Sequence, residues 1–333
     1  MAILTESRLQ KILIIICSIW GQMVQLKVLY QSYIKNNGVR KMKCYMAGLL
    51  FLFVTPVFAQ LNPMGSIYYQ NQFLANPAMA GLETGLNLNA AFKTQWTGID
   101  GAPKIQYLTG DYGLADTKVG LGFLFYNEGA GAINRTRATV TYAYHLPLNG
   151  GSNFLDFGLS AGLMNEWIDF GKAKGDLDDD VLNSFNDRRL YLDGDFGVAY
   201  RTDKLTLQGA LPNLKRFFKR DVLRNVADRS IYFIAAGYKF TTDKVINSIE
   251  PKLVYRGVQN YDGIFDAGVN LQFLENKLML NGIYHSTNSF TAGFGANYKN
   301  QFSVLFQYTT NTSKMQSYSN GEFEVGLKYS IKN

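Results

Sequence analysis

The chain has 333 residues and a formal charge of +7, but that excess sits in a leader: without residues 1–59, 26 basic residues face 25 acidic ones, a net charge near +1. Nucleic-acid binding then has no electrostatic footing. Both cysteines, Cys17 and Cys44, leave with the same segment, which removes disulfides, thiolate metal sites and cysteine nucleophiles from an exported chain.

Residues 1–41 hold an apolar patch from Ile12 to Trp20 and a basic tail of Lys35, Arg40 and Lys41. They are expected to be an over-long start, with translation beginning at Met42. The rival, a membrane anchor, falls well short of the ~20 apolar residues that a span needs. Residues 42–59 read as a secretory signal peptide. Lys43 supplies the basic region, Met46 to Phe58 the apolar one, and Val57-Phe58-Ala59 the small-residue ending before a cut at Gln60. Cys44 precedes the apolar run, so it is no lipid-attachment cysteine.

Residues 60–83 are expected to form a periplasmic N-terminal segment. It is too long for a bare linker and carries Tyr68, Tyr69 and Phe73. It could fill a lumen or dock a periplasmic partner, and the residues themselves do not choose.

From Thr84 the sequence alternates. Val119, Leu121, Phe123 and Phe125 take one parity, and Gly120, Gly122 and Tyr126 take most of the other. Near the end Phe323, Val325, Leu327, Tyr329 and Ile331 alternate with Glu322, Glu324, Gly326, Lys328 and Ser330. Successive side chains of a strand point to opposite faces, so this is one apolar and one polar face.

The predicted strands are 84–95, 105–113, 117–127, 135–147, 154–165, 190–201, 204–211, 230–241, 246–257, 263–274, 276–286, 289–299, 301–310 and 321–332. Most have the ~9–11 residues that cross a membrane when tilted. Only 214–227 hints at a short helix. The connections Leu114–Asp116, Leu148–Asn153, Thr202–Asp203, Thr242–Val245, Glu275 and Asn300 are brief, whereas 96–104, 166–189, 212–229 and 311–320 are long and alternate with them. The fold class this predicts is all-β: a transmembrane antiparallel β-barrel over 84–332, of about fourteen strands in up-and-down topology. Its outer surface would meet outer-membrane lipid.

Candidate chemistry is sparse. His145 and His285 both take the inward parity, near opposite ends of their strands, and read as lumen-facing polar residues. Inward glycines such as Gly120, Gly122, Gly268, Gly293 and Gly295 would relieve crowding, since none of the Gly-x-Gly pairs opens a helix as a nucleotide loop does. Asp176-Leu177-Asp178-Asp179-Asp180 lacks the spacing of a calcium loop and reads as a solvated acidic loop. Lys215, Arg216, Lys219 and Arg220 would lie in the next long loop, against lipid phosphates, the aspartates or water. Trp96, Gly98, Gly101 and Pro103, just past the first strand, suit a structured turn or a partner contact. Nothing calls for a metal, a cofactor or a catalytic pair.

Several blocks together carry a resemblance. They are Asn62-Pro63-Met64, Asn71, Asn76-Pro77-Ala78-Met79-Ala80-Gly81, Lys93-Thr94-Gln95-Trp96-Thr97-Gly98-Ile99-Asp100-Gly101-Ala102-Pro103, Val119-Gly120-Leu121-Gly122 with Asn127 and Gly129, and Leu211-Pro212-Asn213-Leu214. In this order they resemble the PorP/SprF family, outer-membrane proteins of the type IX secretion system and gliding motility in Bacteroidota. Asn62 and Met79 depart from its usual Asp and Tyr.

The resemblance implies a non-enzymatic barrel working with the periplasmic PorK–PorN ring. It would support secretion or surface attachment of cargo proteins with type-B C-terminal sorting domains. Asn76 and Pro77 then join Tyr68, Tyr69, Phe73, Trp96, Gly98, Gly101 and Pro103 as candidate partner-binding residues. The alternative is a passive outer-membrane channel for hydrophobic or small solutes. An apolar lumen path would suit that channel, yet Lys93, Asp111, Arg137, Asp156, Asp266, Glu322 and Glu324 take the inward parity.

Overall fold

The computed structural model describes residues 65–98, 100–115, 118–172, 190–215, 230–242, 245–258, 263–310 and 320–331. The expected over-long start and signal peptide, the Asp176–Asp180 run, Arg216, Lys219, Arg220 and nearly all of the 214–227 piece lie outside these residues.

The strands follow the alternation. They are β1 (Gly85–Gln95), β2 (Lys104–Gly113), β3 (Val119–Ala130), β4 (Ile133–Leu148), β5 (Asn153–Ile168), β6 (Leu190–Arg201) and β7 (Leu205–Leu211). Then come β8 (Ser230–Tyr238, continued as Phe240–Thr241), β9 (Ile246–Val258), β10 (Ile264–Phe273), β11 (Leu278–His285), β12 (Ser289–Tyr298), β13 (Phe302–Thr309) and β14 (Glu322–Ile331). The break in β8 falls at Lys239, and both pieces pair with β9.

Every strand pairs antiparallel with its neighbours in sequence, and β14 closes the ring on β1, from Leu86 opposite Ile331 to Gln95 opposite Glu322. The result is a closed barrel of 14 strands. Closure pairs the backbone groups that an edge strand would leave bare, which a bilayer interior demands.

The two faces divide as the parity requires. Val140 and Leu192 are 69% and 74% exposed, and Leu121, Phe123, Leu159 and Phe306 are exposed beside them. Such a band of bare apolar side chains is stable against lipid. Inward, β4 sets Arg135, Arg137, Thr139, Thr141 and His145 in one buried row.

The end of the barrel that carries Gly85 and Ile331 has the tight turns. Lys299 and Asn300 both take left-handed φ (51° and 53°), the primed geometry that matches the twist of a hairpin. At the far end β3 and β4 meet in a tight turn at Gly131–Ala132, whereas 169–189 and 212–229 make the long connections.

Candidate functional site: a lumen filled by residues 65–83

Residues 65–83 lie inside the barrel. Three 3-10 turns, Ile67–Tyr69, Gln72–Leu74 and Pro77–Met79, stack along the lumen. The third begins at Asn76, whose Oδ1 accepts from Ala78 N at 3.0 Å, with Pro77 as the first residue of the turn. Proline suits this place because its missing N–H would have no partner there. The segment makes no sheet pairing, so side chains and turns must tie it down.

They do so around the whole wall. Ser66 N donates to Glu324 Oε2 at 2.7 Å, Gln70 Nε2 to Asn270 Oδ1 at 2.8 Å and Asn71 Nδ2 to Thr109 Oγ1 at 2.8 Å. Asn76 Nδ2 donates to Val198 O at 3.1 Å, and Gln208 Nε2 to Gln72 Oε1 at 2.5 Å. Tyr69 and Lys252 are tied reciprocally: Tyr69 OH donates to Lys252 O at 2.5 Å, and Lys252 Nζ to Tyr69 O at 3.2 Å. Tyr68 OH donates to Asp266. Burial, then the Asp266 carboxylate beside it, pushes the Tyr68 phenol well above its ordinary range, so it stays a donor.

Close approach is made possible by glycine. A Cβ on Gly120 would sit 2.1 Å from Ala80 O, on Gly158 2.2 Å from Ala78 N, and on Gly197 2.0 Å from Asn76 Oδ1. Gly122 faces the Phe73 ring and Gly326 faces Ile67 in the same way. Of the inward glycines of the alternation, Gly120, Gly122 and Gly268 are thus a mould for this segment, whereas Gly293 and Gly295 meet Asn281 and Met279 of the wall.

Besides pairs such as Lys93–Glu322, Arg135–Glu166 and Arg137–Asp195, the lumen holds two charged clusters that contain an imidazole, at opposite ends of the barrel. Near the termini end, Asp156 takes Arg201 Nε at 2.5 Å and Nη2 at 3.0 Å, and His145 Nδ1 at 2.8 Å. His145 Nε2 reaches Ala80 O at 3.0 Å, so this cluster also holds the plug. Near the far end, Asp266 binds Arg256 Nη2 at 2.7 Å and His285 Nδ1 at 2.7 Å.

His285 Nε2 in turn lies 2.7 Å from Thr291 Oγ1, which gives the connectivity of a hydrolase relay. Thr291 is fully buried, and its oxygen also meets Ser66 Oγ at 3.0 Å and Thr309 Oγ1 at 2.6 Å. No reacting carbonyl can reach it. Among the described residues, no group of three or more His, Cys, Asp or Glu side chains is placed to hold a metal.

Of the two roles open to the segment, filling the lumen or docking a partner, the placement matches the first. Tyr68, Tyr69, Phe73, Asn76 and Pro77 are buried against the wall, with Asn76 at 0% exposure, and do not stand in the periplasm as open anchors. They fix the plug, because aromatic area and a capped turn are worth more buried in the lumen than left in water.

Trp96, Gly98, Gly101 and Pro103 do form a structured turn at the far rim. Trp96, with φ of 52°, donates its N–H to Gly321 O at 2.8 Å, and Gln95 N donates to Pro103 O at 3.0 Å. Gly98 and Gly101 take φ of 110° and 74°. The Pro212-Asn213-Leu214 block folds back over β6, where Asn213 N meets Asp195 Oδ1 at 3.0 Å and Leu214 N meets Gly194 O at 2.8 Å. Lys215 places Nζ 3.6 Å from the Tyr191 ring centroid, a cation–π contact that its loop position did not suggest.

A closed barrel with an apolar belt, a charged lumen and an internal plug defines an outer-membrane β-barrel. The chain belongs to the family of type IX secretion system membrane proteins PorP/SprF, whose model matches residues 57–329. No curated protein matches it.

Among solved structures, it is similar to the Acinetobacter baumannii outer membrane protein Omp33, at 9% identity and a TM-score of 0.44, covering 75% of this chain and 100% of that one. It is similar to the CymD monoaromatic hydrocarbon channel at 11% identity and 0.49, covering 84% and 95%. It is also similar to the Pseudomonas putida toluene transporter TodX at 10% identity and 0.43, covering 78% and 93%. These likenesses carry no functional argument.

Proposed function

We propose that this barrel is a non-enzymatic component of a type IX secretion system that supports secretion or surface attachment of cargo proteins with type-B C-terminal sorting domains. It would work with the periplasmic PorK–PorN ring. The observation that carries this reading is the family match, which takes in plug and barrel together. The plug itself supports a partner-binding role over passive diffusion. The signature block Asn76–Gly81 is spent on closing the lumen, with Pro77, Ala78 and Ala80 pressed on Gly158 and Gly120.

The surfaces offered to partners are then the rims. At the far rim, the Trp96–Pro103 turn is held by Gly321 and Gly131 and would meet exported cargo. At the termini end, the tight turns would meet the ring. Tyr68, Tyr69 and Phe73 reach a partner only if the plug leaves the lumen.

Co-isolation tests this reading. After mild crosslinking, the tagged full chain should recover the ring proteins and at least one exported cargo. A preparation from intact cells that recovers neither would contradict it.

A further inference from the structure

Among the cavities that flank the plug inside the barrel, two share a border at the same pair of residues. One, of about 430 Å³, opens from the termini end and is bordered by Gln70, Asn71, Asn89, Gln272 and Asn297. The other, of about 130 Å³, lies toward the far end, between Phe73 and Pro77 of the plug and Glu128, Arg137 and Asp195 of the wall. Leu74 and Tyr107 border both.

Leu74 closes the second 3-10 turn and is only half-buried, because cavity lies on either side of it. Tyr107 is buried on β2, its ring 5.4 Å from that of Tyr126. An apolar constriction of this kind, between a polar space and one that carries Glu128, Arg137 and Asp195 among apolar side chains, excludes water and so blocks ions without a large steric barrier.

We propose that Leu74 and Tyr107, where the two cavities meet, form the barrier of a water path that is closed at rest, running through the lumen along the β2–β3 side of the plug. This differs from a passive channel, which is open at rest, and it stands independently of the secretion reading. Opening it needs only a shift of one turn. The rest of the plug, anchored through Tyr68, Tyr69 and Asn76 on the opposite wall, can stay in place.

The test is conductance of the purified full chain in planar bilayers filled with potassium chloride. Wild type should be silent or nearly so. Leu74→Ser, which hydrates the constriction, and Leu74→Gly, which widens it, should show stepwise currents with open probability raised roughly tenfold or more. Leu74→Trp should stay silent. Tyr68→Phe, which loosens the plug away from the barrier, should also stay silent.

Each variant is checked for a folded barrel by its heat-dependent migration on gels. Silent Ser and Gly variants in folded barrels would overturn the proposal. So would a wild type that conducts as well as they do. Equal currents from Tyr68→Phe would overturn it too, because the barrier would then be the plug as a whole.

Discussion

Gly158 shows how little clearance separates wall from plug: a methyl there would lie 2.2 Å from both Ala78 N and the Pro77 carbonyl carbon, atoms of a backbone with no room to turn aside. Gly158→Val should therefore lower unfolding stability by about 1–3 kcal/mol, as overpacking does, measured by urea titration in lipid vesicles. Gly122 offers a cleaner case, since its neighbour is the Phe73 ring at 2.6 Å. Gly122→Ala and Phe73→Ala should each destabilise alone, yet the double variant should fall short of their sum, by at least ~0.5 kcal/mol of coupling. Strict additivity would mean the ring is not where it is placed.

Asp266 is a different kind of position. Asp266→Asn leaves Arg256 and His285 buried beside a neutral amide and should cost about 3–5 kcal/mol, whereas Tyr68→Phe removes one bond and should cost about 1–2 kcal/mol. Period-two parity already turned Asp156 and Asp266 inward. It could not pair them with Arg201 and Arg256, because partners across strands depend on register, which no single strand encodes.

The strands were legible because their two faces see opposite solvents. β6 spans Leu190–Arg201, as its alternation predicts, and the other ends lie within three residues of expectation. The break of β8 at Lys239 was not legible, since one irregular residue leaves the parity on either side unchanged. The plug was legible only in part. Three 3-10 turns have neither a 2.0 nor a 3.6 period, so Tyr68, Tyr69 and Phe73 read equally as lumen filler or as docking anchors. The missing signal lay in the wall: inward Gly120, Gly122 and Gly268 mark where something must come close. Register on β3 can be tested by Leu121→Arg, an outward change that should cost about 2–4 kcal/mol near the midplane. If the arginine folds as readily as wild type in vesicles, the parity assigned to β3 is wrong.

For the whole molecule, the charge balance and the export route stand or fall together. If the leader is cut between Ala59 and Gln60, N-terminal sequencing of protein isolated from membranes should begin at Gln60, and no thiol should be titratable in it. A mature chain that still contains Cys44 would contradict the cut and restore the cysteines. The proposed secretion role rests on the family match, and it is answered most directly in a deletion strain. The measurement is a quantitative comparison of surface-bound and released proteins in the deletion strain and its complemented parent, with uptake of small and hydrophobic solutes followed in parallel. The account predicts that a small set of exported adhesin-like or enzyme cargos disappears from the surface of the deletion strain and returns on complementation, with uptake unchanged. Normal surface cargo together with impaired uptake of a hydrophobic nutrient would contradict it.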